Sequence, residues 1–307
     1  MALKLRRGVN ADRTGITPAQ GEPIYTTDTK KLYIGDGTTA GGVEVGGGGT
    51  LTVNTQDFTS SGTWTKPANA LWVEVTMCGA GMSGVAGSTS SPGLGGMAGK
   101  TAAKTFLASA LGSTVTVTCG ASEAAFDSTT ASRSAFGDLL YAGGGGNTGG
   151  VFNGSTSELT VILQNTGFEQ TGHFGGAGMN YGDPGFHGAP FGPGGGGNGA
   201  QSGSGGAGGQ AATGKTDVDS KAASGGGGAG GASGATGVAG TAGGYDTVTG
   251  FGHGGGGGGQ GTAGAGGAGG AGVRGGGGGG GGQGTTAGGA GGAGGAGFVR
   301  VRTLCFG

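Results

Sequence analysis

Apolar and polar positions alternate along several stretches of this chain. Within Leu71–Cys78, Leu71, Val73, Val75 and Met77 fall on one side. Thr114–Cys119 sets Val115 and Val117 against threonines, and Phe298–Leu304 alternates in the same way. A two-residue period rich in β-branched side chains predicts half-buried strands. Thr101–Leu107, Leu139–Tyr141 and Leu159–Leu163 are further candidates, and Asn153-Gly154 is a hairpin-turn signal. The last strand cannot form a sheet alone. Its natural partners are the strands before residue 165, which makes the chain between them a long insertion. Nearer the start, Ala2–Leu5, Pro23–Thr26 and Leu32–Ile34 read as short strands, with Gly35-Asp36-Gly37 as a tight turn. So small a piece has too few apolar side chains for a sizeable core, which predicts association with copies of itself.

The expected fold class is therefore all-β with essentially no α-helix. A small N-terminal β module and linker would occupy residues 1–48. A β-sandwich-like domain would follow over 49–165, closed by a strand over 298–307, with an insertion over 166–297.

Composition gives that insertion its character. Of 307 residues, 93 are glycine, several times the usual share of about 7%. Thr262–Ala271 and Gly288–Ala296 repeat largely in threes, the period of polyproline-II geometry and of neither a strand nor an α-helix. A collagen triple helix would need proline, and between Gly194 and Gly297 there is none. Two readings compete: a flexible coil, or a block of packed polyglycine-II helices whose backbone groups bond sideways. Ordering a glycine costs about 0.5–1 kcal/mol more than ordering alanine, and a net hydrogen bond returns about 0.5–1.5 kcal/mol. A compact block anchored at both ends thus holds where a fragment would not. Strands stand before and after this one, and its other residues are mainly alanine, so the ordered block is the favoured reading.

The interruptions in the glycine carry most of the side-chain chemistry. They hold Phe168, His173 and Phe174, then Met179, Tyr181, Phe186, His187 and Phe191, and later Tyr245, Phe251 and His253. Rigid aromatic side chains on turns suit recognition at little entropic cost, which makes these residues candidate receptor-contact loops. The competing reading is that they cap the apolar ends of the block.

Several functions are disfavoured. The net charge of -1 supplies no field for nucleic acid or an anionic membrane. No apolar window of transmembrane length exists, and the polar start predicts no secretory signal. Cys78, Cys119 and Cys305 are odd in number and widely spaced, so neither a disulfide framework nor a zinc site is expected; Cys78 and Cys119 read as buried thiols. Gly209–Thr216 fits a phosphate-loop pattern but lacks the strand and helix around it. Asp217 and Asp219 open like a calcium loop, yet Lys221 stands where a third ligand belongs. No catalytic constellation stands out. No enzyme activity, cofactor or metal is expected.

Leu3–Gly8 and Thr17–Thr39, including Leu32, Tyr33, Ile34, Asp36 and Gly37, resemble the N-terminal module of phage tail-fibre and tropism-determinant proteins. Phe58–Pro67, Leu71–Cys78 and Gly294–Val301 resemble a glycine-rich domain of phage fibre and structural proteins, in which opening and closing strands bracket a glycine insertion. The block is also similar in composition to the polyglycine-II sandwich of long-tail-fibre adhesins. The first resemblance implies a homotrimer joined through this module to tail, baseplate or capsid proteins. Together they imply a virion protein, a tail fibre or adhesin subunit meeting a host-surface protein or glycan. The alternatives are a head fibre or capsid decoration protein, and a glycine-rich ice- or polysaccharide-binding protein outside any virion.

Overall fold

The computed structural model describes residues 6–46, 50–122, 133–145, 152–153, 193–207, 231–247 and 249–307. The described residues are all-β. Their helical structure amounts to the four-residue turn Asn10–Arg13 and the 3-10 turn Ala108–Ala110. The chain forms two compact units, Met1–Thr52 with Phe306–Gly307, and Val53–Cys305.

The first unit holds β1 (Arg6–Gly8), β2 (Pro23–Thr26), β3 (Leu32–Ile34) and β4 (Val43–Val45), hydrogen-bonded in that order. The strand expected at Ala2–Leu5 lies outside the described residues; β1 starts at Arg6 and pairs with β2 in parallel. Its core is small, centred on Ile24, Thr26 and Tyr33. Arg13 closes it, with its guanidinium 3.7 Å from the Tyr33 ring centroid and Nη1 donating to Gly41 O at 2.7 Å.

The second unit contains β5 (Leu51–Phe58), β6 (Gly62–Thr65), β7 (Ala70–Cys78), β8 (Thr101–Leu107), β9 (Thr114–Thr118), β10 (Ser134–Phe136), β11 (Leu140–Ala142), β12 (Phe152–Asn153) and β13 (Phe298–Phe306). β5, the first of these, starts two residues before the unit's boundary, and β13 ends one residue beyond it. One sheet runs β12-β11-β10-β9-β6 and the other β5-β13-β7-β8. The closing strand pairs antiparallel with β7 from Phe298↔Cys78 to Leu304↔Trp72, as the alternation in both segments requires. Val73, Val75 and Met77 are fully buried, as are Val299 and Val301 across the ladder. They meet Trp64, Val117, Phe136 and Leu140 of the other sheet. Trp64 packs edge-on to Phe136 with centroids 5.6 Å apart. Leu71 departs from the expected face: it is 40% exposed. The strand expected at Leu139–Tyr141 starts one residue later, and Leu159–Leu163 lies outside the described residues. Cys78 and Cys305 are buried and Cys119 half-buried.

Beyond Cys78 the chain leaves the sandwich and enters an array of extended segments bonded sideways. Contacts recur every third residue. Gly81, Gly84 and Gly87 donate to the carbonyls of Gly295, Gly292 and Gly289, while Gly277, Gly280 and Gln283 donate to Gly194, Gly197 and Ala200. The described segments stack in three rows. The outer row holds 237–243, 264–273 and 287–297. The middle row holds 231–234, 252–261, 275–284 and 79–88. The third holds 203–207, 193–200 and 93–100. The segment 275–284 exchanges bonds with 79–88, 93–100, 193–200, 252–261, 264–273 and 287–297, so it is surrounded on every side.

That arrangement explains the sequence period. In a segment with three residues per turn, each residue faces one of three directions. A Cβ at Gly266 would lie 2.0 Å from Gly282 O, and one at Gly267 would lie 2.0 Å from Val238 O. Both directions demand glycine. The third points outward in the outer row, and there alanine stands: Ala290, Ala293 and Ala296 are exposed, Ala265, Ala268 and Ala271 half-buried. The two segments enclosed by others on every side contain no alanine in their glycine runs. The unbroken runs Gly254–Gly259 and Gly275–Gly282 are the two segments enclosed in the middle row.

Candidate functional surfaces

The motif of the N-terminal unit is built for folding. Tyr33 is 6% exposed, and Leu32 and Ile34 are half-buried on either side of it. The Asp36 carboxylate accepts from Thr38 N at 2.9 Å and Thr39 N at 2.6 Å. The Thr39 hydroxyl and these backbone donors hold the Asp36 carboxyl well below the usual carboxylate range. Gly35 admits no other residue, because a Cβ would lie 2.0 Å from Ala19 O, and Gly37 follows at φ +80°. The sequence Tyr33-Ile-Gly-Asp-Gly37 thus fixes a strand end and its turn.

At the base of the glycine array, Tyr245 and Phe251 gather with Arg274 at Phe298. The Asp246 carboxylate accepts from Thr249 N at 2.6 Å and from its hydroxyl at 2.9 Å, which closes the loop. Gly250 completes it at φ +82°. The Arg274 guanidinium lies 3.8 Å from the Tyr245 centroid and 4.9 Å from that of Phe298. Phe251 meets Phe298 edge-on at 6.4 Å, in one buried cluster with Cys78. Burial lowers the His253 pKa, with Asp246 opposing, and pushes the Cys78 thiol up to about 12.

This placement bears on the loop candidates. Phe251 and His253 are 4% and 7% exposed, so they cap the array where it meets the sandwich rather than standing on a free tip; Tyr245 keeps 48% of its surface. Phe168, His173, Phe174, Met179, Tyr181, Phe186, His187 and Phe191 lie outside the described residues.

The opposite end of the array is chemically different. Among the described residues its turns fall at Ser88–Ser91, Gln201–Ser204, Ser233–Thr236, Gln260–Ala263 and Gln283–Thr286, with neither a charge nor an aromatic ring. Several of these side chains cap the segments: Thr262 Oγ1 donates to Gly234 O at 3.1 Å, Thr285 Oγ1 to Gly264 O at 3.2 Å and Gln283 Nε2 to Thr89 O at 3.0 Å. The sequence signal was present in the polar residues that punctuate the glycine, but their common end becomes visible only once the segments are in register. Among the described residues no three His, Cys, Asp or Glu side chains are grouped to hold a metal ion, and no helix is long and apolar enough to cross a membrane.

Residues 3–39 match the family profile of the Major tropism determinant N-terminal domain. The first unit is therefore a tropism-determinant-like module of the kind found in phage proteins. No curated protein matches the chain.

Proposed function

We propose that the chain is a non-enzymatic structural protein of a tailed-phage virion, a tail-fibre or receptor-binding subunit that mediates attachment to the host surface. The observation that carries this reading is the tropism-determinant-like module at residues 3–39, joined in one chain to a rigid, laterally bonded glycine array. In this reading the N-terminal module trimerises and anchors the subunit to tail, baseplate or capsid proteins. The array is a polyglycine-II block: its three-residue bonding period, its enclosed glycine runs and its outward alanines support that description. Such a block suits display because its many sideways bonds fix the turns at its ends. The host-surface partner is a protein or a glycan, met by turns of the insertion, with the aromatic loops between Phe168 and Phe191 as first candidates.

The test is competition for adsorption. Purified full-length protein is added to host cells before the parent phage, and free phage is counted over time. Slowed adsorption that depends on protein concentration supports a receptor-binding role. Unchanged adsorption, with the protein failing to bind the cells, refutes it.

A further inference from the structure

The sheet β5-β13-β7-β8 has two faces with different fates. One packs into the sandwich core through Val73, Val75, Val299 and Val301. On an antiparallel sheet the other face is normally solvated and polar. Here a row across the strands is apolar. Leu304 stands opposite Trp72, and Trp72 opposite Leu107; all three are half-buried. On the neighbouring edge strand, Asp57 binds Arg300, so Val53 shares that face by two-residue alternation, and it is 55% exposed.

The next row is charged and balanced. Arg302 stands opposite Glu74, with Nη1 3.2 Å from the carboxylate and the side chains 50% and 44% exposed. The Arg300–Asp57 pair beyond it also sums to zero. A neutral face offers nothing to a polyanion or a charged membrane. A positive and a negative group side by side next to an apolar row are, however, self-complementary. Turning a second copy about an axis through the face sets Arg302 of one against Glu74 of the other. The β5 edge supports the same partner, since Leu51–Gln56 carries no charge to repel its own copy.

We propose that this outer sheet face is a contact surface between copies of this chain, with the Leu304–Trp72–Leu107 row at its centre and the Arg302–Glu74 pair setting its register. The inference rests on the homo-oligomer reading above and adds to it a two-fold contact, which joins chains of two different trimers.

Sedimentation velocity of the full-length protein tests it with two single variants, Glu74→Arg and Arg302→Glu. Both positions are exposed, and far-ultraviolet circular dichroism checks that folding is kept. Each variant alone should lose at least about tenfold in self-association. Their equimolar mixture should recover the wild-type species, because one all-positive face then meets one all-negative face. A pair that acts only within its own chain gives no such recovery. Trp72 should be shielded from a soluble quencher in the wild type and exposed in each single variant. Wild-type oligomers that both variants retain would overturn this surface and leave the homo-oligomer reading standing. A monomeric wild type would overturn both.

Discussion

Replacing Gly279 by alanine places one methyl group at the centre of the glycine array. The new Cβ would lie 2.0 Å from Gly256 O and 2.5 Å from Gly256 C. Ordinary contact begins near 3.4 Å, so segments 252–261 and 275–284 must part by more than an ångström. The bonds flanking the clash are Gly255 N to Gly277 O and Gly258 N to Gly280 O, each 2.9 Å. An ångström of separation breaks both and leaves their groups buried without partners. Two broken bonds leave four groups unsatisfied at about 1–3 kcal/mol each, about 4–12 kcal/mol in all. Alanine stiffens the unfolded chain and returns about 0.4–1 kcal/mol, for a net loss of about 3–12 kcal/mol. In a unit of this size that lowers Tm by at least about 6 °C. The control is Ala290→Gly, an outward position in the outer row, where the change costs no more than about 1 kcal/mol. Differential scanning calorimetry of both variants decides the matter. A Gly279→Ala protein melting within a degree of wild type, or a control that falls as far, would refute the enclosed-row arrangement.

The same steric logic predicts that Gly35→Ala unfolds the N-terminal module, since its Cβ would lie 2.0 Å from Ala19 O; loss of amide protection across residues 23–45 in hydrogen exchange, with the sandwich unchanged, is the expected result. Phe136 is fully buried between Trp64 and Phe106, and Phe136→Ala should cost about 3–5 kcal/mol by chemical denaturation. Burial lowers the His253 pKa, so the unfolded chain takes up the proton first as pH falls. Stability is therefore full above about pH 6.5, the ordinary histidine value, and declines below it. His253→Gln should flatten that part of the wild-type Tm-against-pH curve.

Much of the sandwich was legible because its inner strands pack on one face. Val73, Val75 and Met77 announce β7, and Phe298–Leu304 announces a strand that needs a partner. β5 carries no such signal, because Leu51–Thr55 is exposed throughout and burial imposes no alternation there. β6 opens on a glycine, and β10 has only three residues. The period of three pointed to laterally bonded segments, but not to their rows. Which glycine runs are enclosed follows from which faces lack room for a Cβ, and that requires neighbours distant in the chain. Gly79–Lys100 shows the limit: Met82, Val85, Leu94 and Met97 dilute its glycine, yet its backbone joins the array through Gly81, Gly84, Gly93 and Gly96. The turn at Tyr245–His253 allows two readings for a related reason. Aromatics between glycine runs suit either end of a segment, and only register assigns Phe251 to the end that meets Phe298.

The most direct test of the proposed role is immunogold electron microscopy of the intact parent virion with antibody to this chain. Gold at the fibre tips or the baseplate is the predicted result. Gold over the capsid, or none on the particle, would contradict a receptor-binding tail protein.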